Sequence, residues 1–257
     1  MKRLALITVA AAGLLGVSLA AAQPVQQGDL RIGFEASFVP HALPRDRPAP
    51  VSIDLEGSVA TTDGSRPPQL RRISIALNRY GRITTRGLPR CSAGELESTS
   101  SATALELCRD ALVGHGRFGA EVDFPNQPLL PVEGKVLAFN SRQGGRPVVL
   151  VHVAASKPIT ATVVLVFHIA HRRGKFGTIV SATIPKIASN LGYVTDISLT
   201  FGRRYSVGGK RLSFLSASCA APNGFGIAIF SLAKGSFLFA TGQRLSTTVV
   251  RDCAVRR

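Results

Sequence analysis

Apolar and polar side chains alternate along much of the chain. Over residues 29–38 and 51–59, as in Ser52-Ile53-Asp54-Leu55-Glu56, every second residue is apolar. That is the period of a strand with one wet face. Pro40, Pro44, Pro48 and Pro50 mark an extended connection between the two. Ile73, Ile75 and Leu77 resume the alternation, and strand signals return at 117–124 and 134–139. Residues 148–151 and 163–167 are continuous β-branched runs joined through Ser156-Lys157-Pro158, which predicts two buried strands and not a membrane helix. Further strands are expected around 177–184, 194–201, 211–218, 226–232, 236–240 and 245–250.

One segment departs from this period. Residues 101–113 carry Ala102, Leu105, Cys108, Ala111 and Leu112 at helical spacing, begin in a Ser/Thr cluster and stop at Gly114, which predicts a short helix with Leu105 and Leu112 buried. The remainder, short strands separated by Gly, Pro and Asn, predicts an all-β protein, an antiparallel β-sandwich. The stretch from Asn140 to Pro147 is the best candidate boundary. It would divide the chain into a β-domain over 23–141 and a sandwich domain over 142–257, two immunoglobulin-sized units. An ordinary hairpin loop within one larger sandwich accounts for it equally well.

The first residues read as an address. Lys2 and Arg3 precede an uncharged run from Leu4 to Leu19, followed by Ala20-Ala21-Ala22, the small-residue pattern of a cleaved signal peptide over residues 1–22. The apolar run is shorter than the roughly 20 residues that span a bilayer, so the mature chain is expected to have no transmembrane segment. The whole chain carries 31 Lys and Arg against 15 Asp and Glu, net +16. Loss of Lys2 and Arg3 leaves about +14, a field that favours anionic partners. Nucleic acid is not expected as one, because export removes the protein from the cytoplasm. Arginine greatly outnumbers lysine, which suits bidentate anion contacts, although a GC-rich genome is the simpler explanation.

The four cysteines, Cys91, Cys108, Cys219 and Cys253, are expected to pair in an exported chain. Proximity favours Cys91 with Cys108 and Cys219 with Cys253. Closing loops of about 18 and about 35 residues contributes roughly 3 to 4 kcal/mol each in the chain-entropy model. A zinc site is a poor fit, since there is no C-x-x-C and the pairs stand far apart.

Three short stretches, Gly87-Leu88-Pro89-Arg90-Cys91, Leu107-Cys108-Arg109-Asp110-Ala111-Leu112-Val113-Gly114 and Ser218-Cys219-Ala220-Ala221-Pro222, resemble a set of uncharacterised exported proteins from high-GC Gram-positive bacteria. The resemblance covers roughly half of the mature chain. It implies a disulfide-bonded β-domain and brings no functional residues with it.

The familiar catalytic signatures are missing: there is no G-x-S-x-G, no P-loop, no G-x-G-x-x-G after a strand and no H-E-x-x-H. His168 and His171 are three apart, so in a strand their rings point to opposite faces. His152 belongs to the neighbouring strand and reads as a buried, hydrogen-bonded residue. The pairs Asp54/Glu56 and Glu121/Asp123 have a spacing that a glycosidase could use, but alternating strands put acids on their wet faces by default. No catalytic residue, metal ligand or cofactor site is assigned.

Basic clusters are more numerous. Arg172, Arg173, Lys175, Arg203, Arg204 and Lys210 fall at expected strand ends, where turns of different hairpins can gather into an anion-binding rim. Solvated turns that protect sheet edges are the plain explanation of the same residues. Together these features predict an exported, non-enzymatic binding or structural module at the cell envelope, secreted or envelope-associated, with basic loops facing an anionic wall polymer or polysaccharide. A hydrolase with a dispersed site and a carrier of an apolar ligand near Val149 and Val164 are the alternatives.

Overall fold

The computed structural model of the chain describes residues 24–158, 160–186 and 192–256, so the expected cleavage after Ala22 lies outside the described residues. In chain order these residues form β1 (Val25–Gln27), β2 (Leu30–Val39), β3 (Ala42–Leu43), β4 (Ala49–Pro50), β5 (Ser52–Thr61), β6 (Leu70–Asn78) and β7 (Gly81–Ile83). Helices α1 (Ala93–Leu96) and α2 (Ser101–Cys108) and a 3₁₀ turn (Arg109–Ala111) follow. Then come β8 (Leu112–Val122), β9 (Leu130–Gln143), β10 (Arg146–Lys157), β11 (Ala161–His171), β12 (Phe176–Thr183) and β13 (Gly192–Phe201). The chain ends with β14 (Arg204–Val207), β15 (Lys210–Ser213), β16 (Leu215–Ala217), β17 (Ile227–Phe239) and β18 (Arg244–Val255). The fold is all-β. Among the described residues, no helix is long and apolar enough to cross a membrane.

Thirteen strands make one sheet, in the order β1-β2-β5-β13-β8-β9-β10-β11-β12-β6-β17-β18-β3. Its pairings are antiparallel except the last, where β3 runs parallel to β18. β2 and β3 are separated in sequence only by Pro40 and His41, yet they stand near opposite ends of this order. Two residues reach only about 3.5 Å each, so the sheet must curl until its ends meet. At the meeting line Phe34 packs edge-on to Phe237 at 6.0 Å and Phe38 tilts against Phe230 at 5.9 Å. Arg251 of β18 donates to Glu35 of β2 at 2.7 Å. The two layers expected of a sandwich are the facing walls of this one curled sheet.

The alternation in β2 is what fills the interior. Leu30, Ile32, Phe34, Ala36 and Phe38 all point inward and are buried, while Arg31, Glu35 and Ser37 face out. Each fully buried large apolar side chain contributes about 1.5–3 kcal/mol. The polar outer face of β2 is the reverse of a lipid-facing strand.

The boundary expected between Asn140 and Pro147 falls in the β9–β10 hairpin. Gly144 and Gly145 form its turn with φ of +55° and +76°, angles that favour glycine. The strands then pair from Gln143↔Arg146 to Glu133↔Lys157, with a register shift near Ala155, and the interior core draws on residues from Leu30 to Cys253. The described residues on either side of this hairpin thus share a sheet and a core.

The helix expected over 101–113 is shorter. It ends at Cys108, passes through the 3₁₀ turn, and residues 112–113 already belong to β8. Its buried stripe is Ala104, Cys108 and Ala111, with Leu105 and Leu112 only half-buried against it. A further helix, α1, is set by a capping box. Ser92 accepts from the Glu95 N–H, and the Glu95 carboxylate accepts from the Ser92 N–H at 2.7 Å. Together α1 and α2 make a flap over the outer face of β9, β10 and β11, burying Leu137, Phe139, Val148 and Leu150 with Leu96. That cover explains the unbroken apolar runs: Val149 and Val151 face the interior core, while Val148 and Leu150 face the flap. The disulfides join Cys91 to Cys108 and Cys219 to Cys253, as expected from their proximity.

Candidate anion-binding groove

β12 pairs with β6 in antiparallel register, Thr178 opposite Leu77 and Phe176 opposite Asn78. The turn that leaves β6 and the turn that enters β12 therefore emerge at one end of the sheet. The Arg79 N–H donates to the Lys175 carbonyl at 3.0 Å, which sets the two turns side by side, and the Arg172 N–H closes the β11–β12 turn on the Gly177 carbonyl at 2.9 Å. Glycine at 177 is required here, because a Cβ would stand 2.9 Å from the Arg79 Cα.

Between these turns and β7 lies an open groove of about 480 Å³ lined by Arg79, Arg82, Thr84, His171, Arg172 and Arg173, among others. All four arginines are exposed. The Arg79 guanidinium lies 4.9 Å from the centre of the Tyr80 ring and donates to its hydroxyl at 2.8 Å. Ion pairs hold Arg66 to Asp123, Arg203 to Asp110 and Arg251 to Glu35, and none of the groove's arginines is among them.

Composition explains the sign. Of the 15 acidic residues, all but Asp196 and Asp252 lie at or before Glu133, and segments 64–94 and 134–195 contain none. Both walls of the groove are drawn from those acid-free segments. Four guanidiniums at one concavity repel each other, and a bound anion relieves that repulsion while accepting planar, bidentate hydrogen bonds.

The six cations singled out by sequence are dispersed. Arg172 and Arg173 line the groove. Lys175 is exposed on the same turn and supplies its carbonyl to Arg79. Arg203 is occupied elsewhere, donating through Nη1 to the carbonyls of Arg109 and Leu112 at 3.0 and 3.1 Å, and so ties its segment to the base of the flap. Arg204 and Lys210 belong to a two-stranded ribbon, β14–β15. Arg79 and Arg82 were not singled out, because attention to basic doublets passes over a pair separated by Tyr80-Gly81. Their visible signal is a tight turn, Asn78 to Gly81, flanked by cations.

Of the candidate carboxylates, Glu56 is exposed and the other three are engaged structurally. Asp54 accepts from the Thr200 hydroxyl at 2.6 Å, Glu121 accepts from the Tyr193 hydroxyl, and Asp123 accepts from Arg66 at 3.5 Å. Burial, then the hydrogen bond to Glu121, pushes the Tyr193 hydroxyl up to about 12, so it stays protonated. Cys91, Cys108 and Glu95 lie within 4.8 Å of one another. The two sulfurs share a covalent bond, however, and have no thiolate to offer a metal.

His152 is buried under the flap, its Nε2 3.0 Å from the Thr99 carbonyl, and burial holds its pKa below the ordinary imidazole value. His168 and His171 are exposed, and His171 faces Thr178 at 3.4 Å. Beside Phe38, Leu43, Phe230 and Leu232 the interior holds a void of about 30 Å³, room for a water and not for an apolar ligand. Val149 and Val164, the expected surroundings of an apolar ligand, pack against the interior core and the flap respectively.

No family model, curated protein or solved structure matches the chain.

Proposed function

We propose that this protein is an exported, non-enzymatic binding module of the cell envelope, and that the groove between the β6–β7 and β11–β12 turns takes its anionic partner. The observation that carries the reading is the convergence of Arg79, Arg82, Arg172 and Arg173 on one open concavity built wholly from acid-free segments. Two disulfides fit an oxidising, extracytoplasmic compartment. Of the four candidate carboxylates, Asp54, Glu121 and Asp123 are engaged by Thr200, Tyr193 and Arg66.

Binding is electrostatic on this reading, and its strength follows salt. For about four phosphate contacts in the groove alone, affinity for long-chain polyphosphate should fall at least roughly fifty-fold as salt rises about fourfold. The triple variant Arg82→Ser/Arg172→Ser/Arg173→Ser should lose most of that affinity and make the salt slope shallower by about 2. Isothermal titration at several salt concentrations reads both. Affinity independent of salt, or unchanged in the variant, rejects the groove as the binding site.

A further inference from the structure

The groove does not end at β7. Its wall residue Thr84 donates its N–H to the Phe214 carbonyl at 2.8 Å, and the Tyr205 hydroxyl reaches the carbonyls of Thr84 and Arg86 at 3.4 and 2.9 Å. Phe214 and Tyr205 belong to the root of the β14–β15 ribbon. Gly87, at φ +77°, faces the Val207 side chain. Residues 84–87 of the connector 84–90 therefore lie against the ribbon, and Asn140 of β9 holds the carbonyls of Leu88 and Pro89 that follow. Arg86 and Arg90 project from the connector, and Arg204, Lys210 and Arg211 from the ribbon, all exposed. In the ribbon Arg204 pairs with Ser213 and Val207 with Lys210, so cations mark both its root and its Gly208-Gly209 tip. Neither the connector nor residues 197–251 contain an acidic residue.

Building on the proposed groove, we infer that the partner is a flexible linear polyanion without bases, such as a phosphodiester or polyphosphate chain, which runs from the groove along the connector onto the ribbon. Three features favour this class. The ribbon alone extends about 13 Å, four residues at roughly 3.3 Å each, so no single small anion contacts both ends of the track. The cations along it are mostly arginines, whose planar forks match phosphate oxygens. Tyr80 is the exposed aromatic beside the groove, and its ring is already covered by Arg79, whereas single-stranded nucleic acid is held on free aromatic platforms.

Tripolyphosphate and long-chain polyphosphate, titrated into the disulfide-intact protein, test the inference. The long chain should bind at least about a hundredfold more tightly, because groove and ribbon engage it together. Arg204→Ser/Lys210→Ser/Arg211→Ser should lower long-chain affinity at least about tenfold, make the salt slope shallower by about 2, and leave tripolyphosphate binding unchanged. The charge reversal Lys210→Glu/Arg211→Glu should act in the same direction, with unaltered thermal unfolding as the check on folding. If the ribbon variants bind the long chain as tightly as the wild type while the groove variant does not, the track is overturned and the groove stands. If the wild type binds neither probe, both readings fall. A single-stranded oligonucleotide that binds more tightly than polyphosphate of equal phosphate number overturns the base-free assignment.

Discussion

β11 passes through two environments, the first of which it shares with β10. Near Val148 to His152 and Thr162 to Val166 their outer face lies beneath α1 and α2, dry and fastened by Cys91–Cys108. Near His168 to His171 the same β11 runs into an open, cationic groove. The histidines report the difference. His152 has no exposed surface and is held neutral, with Nε2 on the Thr99 carbonyl, while His171 stands in solvent among arginines. Residue type does not separate them; the cover does. Stability should therefore be concentrated at the covered end and anion binding at the open end.

The strongest challenge to that division is loss of the flap's fastening. Cys91→Ser/Cys108→Ser should destabilise the protein by about 3 kcal/mol, read from urea unfolding, and accelerate amide exchange in β9–β11. Polyphosphate affinity should be unaffected under native conditions. A large affinity loss would mean that the two ends are coupled. Leu96→Ala, which empties a fully buried site between flap and sheet, should cost about 2–3 kcal/mol with the same local signature.

A subtler test uses pH. Because the folded-state pKa of His152 is lowered, the unfolded chain binds more protons below the ordinary imidazole value of 6.5. The stability tied to the neutral ring is fully present above pH 6.5. It declines as pH falls below that value and levels off once pH passes the lowered folded value. His152→Asn should flatten that limb of the urea-midpoint profile, and an unaltered limb would place the titration elsewhere. The smallest stability effect belongs to the open end. Arg82→Ser/Arg172→Ser/Arg173→Ser should change unfolding free energy by no more than about 0.5 kcal/mol, even as polyanion binding collapses.

Much of this was legible along the chain. Period-two alternation placed most strands, and β2 and β5 follow it closely because one face of each meets the apolar interior and the other meets water. The cysteine pairing followed from proximity. Less legible were the helix end at Cys108, where β8 pairing takes over residues that still fit a helical period, and the single strand β17, which a pattern break near Ala233 divided into two. That break is a register shift between Ser231 and Ala233, a local irregularity in a continuous strand. The site was half visible: Arg172 and Arg173 stood out as a doublet, whereas Arg79 and Arg82 gained meaning only from the β6–β12 pairing that sets their turn opposite.

The sequence by itself determined the all-β class, the sign of the charge and the disulfide partners, because alternation, composition and loop length act locally or in sum. Tertiary structure decided which cations share a groove, which of them, like Arg203, are consumed by backbone carbonyls, and which histidine is dry. Each of those depends on strand order and on the curl that brings distant segments together, and a single chain read in order carries no signal of either.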